Sequence, residues 1–159
     1  HWPHAEKLVR SALGGYLVQQ PDGQIEGAEG FNCVTKVVPT PEQTEDLAFA
    51  LKLAKHTRSN TIVLSKAGQL LASGTGQTSR VDALNQAIDK AGRMGFSLDG
   101  AVMASDAFFP FPDCVEIAHK AGIAAVVQPG GSIKDGESVA YCDAHGVAMV
   151  TTGVRHFRH

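Results

Sequence analysis

From residue 40 to the end of the chain, short apolar runs alternate with amphipathic stretches of ten to seventeen residues. The apolar runs TIVLSK, GAVMAS, IAAVVQP and VAMVTT have the length and composition of buried strands. TIVLSK and LLAS are separated only by the turn AGQ, which predicts an antiparallel hairpin. This alternation predicts a layered α/β/α fold, with a mixed sheet and helices on both faces.

The helical stretches carry recognisable boundary signals. In TPEQTEDLAFALKLAKHT, Thr40 is placed as N-cap, Pro41 as first helical residue and Gln43 as the partner of a capping box. A second helix is predicted in SRVDALNQAIDKAGRMG, ended by Gly95, and two more in DCVEIAHKAG and DGESVAYCDAHG. Near the N-terminus we predict a short helix, then a strand GGYLVQQ and a loop PDGQIEGAEG.

Composition narrows the class of protein. Hydrophobic residues make up 43% of the 159 residues, which predicts a single packed domain that spans residues 1–159. The formal charge is −2 with no basic run, so we expect no nucleic-acid partner. No apolar run reaches membrane-spanning length, which predicts no membrane association and a cytoplasmic location. The chain begins with His1 rather than Met, which suggests a fragment or a processed chain.

The three cysteines, Cys33, Cys114 and Cys142, are far apart and lack C-x-x-C spacing. An odd number without that spacing argues against a disulfide framework and a zinc ribbon. We interpret them as buried or incidental thiols.

Ligands of layered α/β proteins gather in loops beyond the strand ends. One such loop, GTGQTSR, fits either an anion bound at a helix N-terminus or a plain turn in which Ser79 caps the helix. Arg80 lies in the first helical turn, where a cation opposes the helix dipole, and this cost favours a ligand role for Arg80. In QPGGSIKD, the paired glycines fit either close approach of a ligand or a tight connection. The tail GVRHFRH is either a solvated end or a segment docked by Phe157 that carries Arg155 inward.

The stretch SDAFFPFPD, residues 105–113, is the most unusual of these loops. Pro110 and Pro112 fix φ and stiffen the turn, while one of Phe108 and Phe109 is suited to the core. A stiff turn that carries rings between two aspartates suits a planar heteroaromatic ligand with polar edges.

Two further patterns are interpreted as incidental. His4–Glu6 matches half of a zinc deaminase motif, but the P-C-x-x-C half is missing, which argues against metal there. Lys55 and His56 resemble a catalytic pair, but they end a helix, where cations suit the dipole.

Together, SDAFFPFPD, SNTIVLSKAGQLLASGTGQTSR, QPGGSIKD and GVRHFRH resemble the C-terminal third of the AICAR transformylase/IMP cyclohydrolase family. The resemblance implies the second of two subdomains of cytidine-deaminase-like fold, without catalytic zinc. It implies formyl transfer from 10-formyltetrahydrofolate to AICAR, at a site shared between subunits of a homodimer. The first transformylase subdomain and the cyclohydrolase domain would be the partners of this chain.

The resemblance also assigns residues position by position. Those that match AICAR contacts are Asn60, Arg80, Phe108 and Arg155. Those that match folate contacts are Val81, Pro110, Phe111, Asp113, Ser132 and Ile133, with Pro110 and Phe111 as the wall for the flat ring system. A family potassium site would involve Thr57, Ser59, Thr61, Asp106 and carbonyl groups of the tail.

The chain also departs from the family pattern. Pro112 stands where family members usually have an arginine, which removes a charge beside the folate wall. The family's catalytic Lys-His pair belongs to the first subdomain, so Asn60 is left as an orienting group and no general acid or base is assigned here. Two alternatives stay open: a catalytically inactive fragment that folds and dimerises, and a zinc-dependent deaminase-like hydrolase of the same fold class.

Overall fold

A computed structural model describes residues 7–158, and its centre is a six-stranded mixed sheet in the order β3-β8-β7-β6-β4-β5. β6, β7 and β8 are parallel, whereas β4 runs antiparallel to both β5 and β6, and β3 antiparallel to β8. The strands are β3 (Asn32–Cys33), β4 (Ile62–Lys66), β5 (Gln69–Gly74), β6 (Val102–Ser105), β7 (Ala125–Gln128) and β8 (Ala148–Thr151). The predicted α/β class with a mixed sheet is therefore confirmed.

Four helices cover both faces of this sheet. They are α1 (Pro41–Lys55), α2 (Arg80–Arg93), α3 (Asp113–Lys120) and α4 (Asp135–His145). α1 packs alone on one face against β4, β6 and β7, while α2, α3 and α4 share the other face. The fold is thus a three-layer α/β/α sandwich.

Side chains of the central strands alternate between the two faces, as the period of a strand requires. In β6, Met103 belongs to the core under α2, α3 and α4, whereas Val102 and Ala104 belong to the core under α1. β4 repeats the pattern, with Leu64 on the first side and Val63 on the second. Because both faces are covered, these strands read as continuous apolar runs.

The predicted helix boundaries are largely confirmed. Thr40 and Gln43 form the capping box of α1, since each side chain accepts from the backbone N–H of the other residue. Ser79 caps α2 by accepting the N–H of Asp82 at 3.1 Å, as the plain-turn interpretation of GTGQTSR expects, while a ligand role for this loop stays a prediction. Gly95 follows α2 at φ +77°, a value that favours glycine.

The predicted strand GGYLVQQ is confirmed, but the helix predicted before it is wrong over residues 8–12, where the chain forms a strand. Residues from 7 onward form an exposed hairpin, β1 (Leu8–Ala12) and β2 (Gly15–Gln19), which pair with each other and not with the central sheet. The hairpin turn consists of Leu13 and Gly14, with Gly14 at φ +77°, and Gly15 begins β2 opposite Ala12. The predicted loop after β2 contains a short 3₁₀ turn, Ala28–Gly30. His4–Glu6 lies outside the described residues.

One edge of the sheet collects every loop that the sequence singled out. The parallel strands β6, β7 and β8 end at this edge, and β4 begins there because it is antiparallel to β6. β5 is antiparallel to β4 and therefore ends at the same edge, where residues 75–79 lead into α2. Loops 57–61, 75–79, 106–112 and 129–134 and the tail 152–158 are thus neighbours.

The thiols differ in environment, as the sequence suggested. Cys33 is exposed, whereas Cys114 and Cys142 are buried, and all three are free. Burial, with Asp113 beside it, raises the pKa of Cys114 to about 12; burial and Asp143 do the same for the pKa of Cys142. Because the thiolate is the reactive species, these two thiols should be inert in the folded protein.

We expect an aromatic disulfide reagent at pH 8 to modify one thiol per folded chain and three in denaturant. Cys33→Ser is the matched variant, and it should abolish the fast reaction while leaving the count in denaturant at two. Rapid modification of a second thiol in the folded protein would contradict the burial described here.

In the described part of the chain, none of the helices combines the length and the apolar character that crossing a membrane requires.

Candidate functional site

An open cleft of about 500 Å³ lies where the β6–α3 loop, the β7–α4 loop and the C-terminal tail meet. Its lining comprises Phe108, Pro110, Phe111, Gly131, Ser132, Ile133, Lys134 and Arg155. Six of these eight residues were singled out from the sequence, although they come from three separate segments. Gly131 and Lys134 were not, but both lie within the motif QPGGSIKD.

The cleft is lined by apolar side chains, and two cationic groups lie against its aromatic rings. Phe111 is 51% exposed and Ile133 fully exposed, so two large apolar side chains face solvent across the opening. The Lys134 ammonium lies 4.8 Å from the centre of the Phe111 ring, and the Arg155 guanidinium 4.9 Å from that of Phe108. This arrangement suits a flat, negatively charged ligand. Two cations therefore remain here although Pro112 replaces the usual arginine.

The backbone of both walls is rigid. Phe109 is fully buried and anchors the aromatic loop in the core, which leaves its neighbours Phe108 and Phe111 at the surface. Gly130 and Gly131 adopt φ of +74° and +98°, values that side chains disfavour. The paired glycines thus form a tight connection that also brings backbone to the cleft.

The predicted AICAR contacts Asn60 and Arg80 lie beside the cleft rather than in its lining. The Asn60 side chain donates to the Gln77 carbonyl at 3.0 Å, which joins the loops before β4 and after β5. Arg80 donates from Nε to Ser105 Oγ at 3.1 Å and from a terminal nitrogen to Asp106 Oδ1 at 3.3 Å. The buried carboxylate of Asp106 accounts for a cation in the first turn of α2, despite the helix dipole.

Of the four residues predicted to surround potassium, Thr57, Thr61 and Asp106 are joined by hydrogen bonds, and Ser59 contacts the tail. Thr57 Oγ1 donates to Thr61 Oγ1 at 3.0 Å, and the Thr61 amide donates to Asp106 Oδ1 at 3.3 Å. Ser59 Oγ accepts the N–H of Arg158 in the tail at 2.9 Å. Asp106 Oδ2 is buried and has no hydrogen-bond partner among the described residues. An orphaned carboxylate oxygen has the donor chemistry that a hard cation prefers, although Asp106 Oδ1 is paired with Arg80 at 3.3 Å.

The tail is docked, but the prediction that Phe157 docks it is wrong. Phe157 is 43% exposed, whereas His156 is 1% exposed. The His156 ring lies 2.7 Å from Asp22 Oδ2 through Nδ1 and 2.9 Å from Glu26 Oε2 through Nε2. Its amide donates to the Asp106 carbonyl at 2.9 Å. A polar ring is buried in preference to Phe157 because two carboxylates satisfy it; Arg155 is left exposed against Phe108.

The remaining predicted folate contacts lie at helix starts. Asp113 is the first residue of α3, is half-buried, and accepts the N–H of Cys114 at 2.8 Å. Val81 is the second residue of α2 and packs partly against the core. Neither lines the cleft, so both stay predictions.

Lys55 and His56 end α1 as the sequence indicated. Lys55 is buried, with its ammonium 3.6 Å from Asp22 Oδ1 and bonded to the Gln24 carbonyl, and His56 is the C-cap. Within residues 7–158, no three His, Cys, Asp or Glu side chains converge in a way that would hold a metal ion.

Sequence comparison supplies the family. The sequence model of the AICARFT/IMPCHase bienzyme family matches residues 2–90. This chain belongs to that family. Among curated relatives, the bifunctional purine biosynthesis protein PurH of Bacteroides thetaiotaomicron is 64% identical over 97% of the chain, and that of Aquifex aeolicus 53% identical over 95%. The chain spans only 30% and 29% of the length of these two relatives.

Solved structures with a similar fold belong to deaminases. A diaminohydroxyphosphoribosylaminopyrimidine deaminase/5-amino-6-(5-phosphoribosylamino)uracil reductase of Thermotoga maritima is 24% identical, with a TM-score of 0.48 over 65% of this chain and 34% of its own. The dCMP deaminase of cyanophage S-TIM5 is 18% identical, with a TM-score of 0.47 over 70% of this chain and 98% of its own.

Proposed function

We propose that this chain supplies one wall of a composite AICAR transformylase site, which transfers a formyl group from 10-formyltetrahydrofolate to AICAR. One observation supports this above the others. Phe108, Pro110, Phe111, Ser132, Ile133 and Arg155, assigned to two different substrates by resemblance, line a single cleft. A site for transfer between two substrates requires both to lie in contact, and neighbouring contacts for each meet that requirement.

The chemistry explains why such a site is needed. The AICAR amine is a weak nucleophile because its lone pair delocalises into the ring and the carboxamide. Attack of the amine on the formyl carbon forms a carbon–nitrogen bond and an oxyanion, and the amine nitrogen loses a proton. Collapse of the oxyanion then breaks the bond between the formyl carbon and the folate nitrogen, which takes up a proton as tetrahydrofolate leaves. The reaction therefore needs alignment of two substrates, stabilisation of the oxyanion and a base.

The chain's own residues are suited to the first of these tasks. Pro110, Phe111 and Ile133 offer apolar surface to the flat ring system of the folate. Arg155 holds the nucleotide beside Phe108, and the Asn60 side chain orients the carboxamide or polarises the formyl oxygen. The general acid or base comes from the first transformylase subdomain, and the family's homodimer would complete the site.

A potassium ion fits the structure behind this wall. Thr57, Ser59, Thr61 and Asp106 would hold it, with Asp106 Oδ2 as the buried anionic oxygen that lacks a partner among the described residues. The ion would supply positive charge beside Asp106 Oδ2, whereas Asp106 Oδ1 is already paired with the Arg80 guanidinium at 3.3 Å. The residues themselves fix the loop before β4 to the tail through the Ser59–Arg158 pair of hydrogen bonds.

Binding measurements test the proposal directly. Calorimetric titration of the 159-residue chain with AICAR and with folic acid should detect both ligands, weakly because one wall of the site is missing. A chain that is folded by circular dichroism yet binds neither would support the inactive-fragment alternative. Stoichiometric zinc in the purified protein would support the deaminase-like alternative.

Asp113 provides a sharper test of the folate assignment. We expect Asp113→Ala to weaken folic acid binding by about 1–3 kcal/mol, the usual cost of removing one partner of a buried polar contact. AICAR binding should change little, since Asp113 matches a folate contact only. The measurement is the same titration with each ligand.

Asp89→Ala is the matched control for this substitution. Asp89 is an exposed carboxylate on α2, outside the cleft lining, so its removal should leave both affinities unchanged. Equal folate affinity in the Asp113 variant and the parent chain would remove Asp113 from the site.

A further inference from the structure

Gln128 is an unusual residue for its position. It ends β7, a central parallel strand whose other residues are Ala125, Val126 and Val127, and its side chain is fully buried. A buried side-chain amide must find hydrogen-bond partners, because the free-energy cost of leaving it unpaired exceeds the net gain from one hydrogen bond. Its partners therefore show what the glutamine does.

Besides Met149 Sδ at 3.5 Å from Nε2, those partners connect to the two loops that form the walls of the cleft. Gln128 Oε1 accepts the N–H of Phe109 at 3.0 Å, which fixes the aromatic loop. Gln128 Nε2 donates to Asp135 Oδ1 at 3.4 Å. Asp135 Oδ2 in turn accepts the amides of Gly131 at 2.7 Å and Ser132 at 3.1 Å, which fixes the glycine loop.

These groups thus form one connected chain of hydrogen bonds that converges on the Asp135 carboxylate, which accepts from Gln128, Gly131 and Ser132. The chain starts at the Phe109 amide, passes through Gln128 and Asp135, and ends at the amides of Gly131 and Ser132. Phe108 and Pro110 flank its first member, and Ser132 and Ile133 occupy the opposite wall. No direct backbone bond between residues 107–112 and 130–134 accompanies it among the described contacts.

We propose that Gln128 is a positioning residue that sets the separation of the two cleft walls, and that affinity for a flat ligand held between them depends on it. The inference rests on the proposed function for the identity of that ligand. Its mechanical part, the coupling of the two loops through Gln128 and Asp135, stands on the hydrogen bonds alone.

Polarity explains why a glutamine is required. The residue must accept from the Phe109 amide and donate to the Asp135 carboxylate, which an amide does and a carboxylate or an apolar side chain of similar size does not. In Gln128→Glu, two carboxylates face each other across the contact that measures 3.4 Å in the parent. In Asp135→Asn, the asparagine oxygen still accepts from Gly131 and Ser132. Its NH₂ group then faces the NH₂ group of Gln128, so two donors oppose each other.

The double variant, Gln128→Glu with Asp135→Asn, restores complementary polarity. The introduced glutamate would accept from both the Phe109 amide and the NH₂ group of the introduced asparagine, whose oxygen would accept from Gly131 and Ser132. The net charge and the linked groups are the same as in the parent, while the bond between positions 128 and 135 runs in the opposite direction. We expect each single variant to lose about tenfold or more in folic acid affinity, and the double variant to recover most of that loss.

Two readouts on the 159-residue chain decide the matter, at a temperature where circular dichroism shows all variants folded. The first is folic acid affinity, with AICAR affinity as the internal comparison and Gln69→Glu, an exposed glutamine on β5, as the control. The second is amide hydrogen exchange at Phe109, Gly131 and Ser132 without ligand, which should accelerate together in the single variants and slow again in the double variant.

The outcomes separate the two proposals. If the parent and both single variants bind folic acid equally well, the positioning role is overturned and the proposed function stays intact. Parent protein that binds no folic acid overturns the proposed function, and hydrogen exchange then decides the coupling alone. Loss in the single variants without recovery in the double variant also overturns the inference, because it shows general disruption rather than polarity. If one single variant does not fold, the other one and the double variant give the same comparison.

Discussion

The 159-residue chain on its own should form no measurable formyl-AICAR. Of the described residues that line the cleft, only Lys134 and Arg155 carry ionisable side chains, and each is placed against an aromatic ring. His156, although adjacent to Arg155, is buried between two carboxylates and unavailable to substrate. Removal of a general acid or base costs about two to four orders of magnitude in rate, and loss of one wall of a pocket adds a positioning penalty.

The comparison that checks this is between the isolated chain and a longer protein that also contains the first transformylase subdomain, assayed with AICAR and 10-formyltetrahydrofolate. Only the longer protein should turn over. Robust turnover by the isolated chain, free of contaminating longer enzyme, would mean that one of its own histidines is the base. His56→Ala would then be the first variant to make, although His56 lies at the end of α1 and outside the cleft lining.

Elements governed by short-range signals could be predicted from the sequence. α1 was predictable because its capping box and its apolar period are both contained in residues 40–55. In the N-terminal hairpin the second strand was predicted but the first was missed, because LVRSA has the composition of a short helix as readily as that of a strand. Tertiary contacts do not settle the matter there, since every residue of both strands is exposed.

The candidate site divides in the same way. The cleft residues were found because they lie in compact motifs at strand ends, where the topology of the sheet brings loops together. The residues that hold the loops in place were missed, because their partners are remote in the chain. His156 pairs with Asp22 across 134 positions and with Glu26 across 130, and no local pattern encodes such a contact. Gln128 was overlooked for the same reason, since its partners follow only from the fold.

The tail provides the second large effect. Deletion of residues 154–159 should abolish AICAR binding and lower stability, since it removes Arg155 together with the contacts of His156 and Arg158. The Arg158 carbonyl accepts from the Ser59 amide at 2.8 Å, and the His156 amide donates to the Asp106 carbonyl at 2.9 Å. These bonds tie the tail to the loops before β4 and after β6, and their loss would expose the buried carboxylate of Asp106.

A point variant separates docking from contact with the nucleotide. His156→Ala keeps Arg155 but leaves Asp22 and Glu26 facing an empty space. Both nitrogens of the ring lie at hydrogen-bond distance from a carboxylate oxygen, 2.7 Å for Asp22 and 2.9 Å for Glu26. Hydrogen bonds to charged groups contribute about 1.5–3 kcal/mol each. Because the Asp22 side chain is 35% exposed, its hydrogen bond should contribute at the lower end of that range. We expect a loss of about 2–4 kcal/mol in the free energy of unfolding by urea, with weaker AICAR binding as the tail detaches.

Phe157→Ala is the matched control, because it removes a large neighbouring side chain that is 43% exposed. Its guanidinium neighbour, Arg80, lies 5.7 Å from the ring centre, a contact worth about 0.5–1 kcal/mol at an exposed position. The phenylalanine variant should therefore unfold within about 1 kcal/mol of the parent and bind AICAR nearly as well. The reverse order, with Phe157→Ala the more damaging of the two, would show that the aromatic ring docks the tail and that the His156 contacts contribute little. Equal AICAR affinity in the truncated and the intact chain would show that Arg155 does not contact the nucleotide at all.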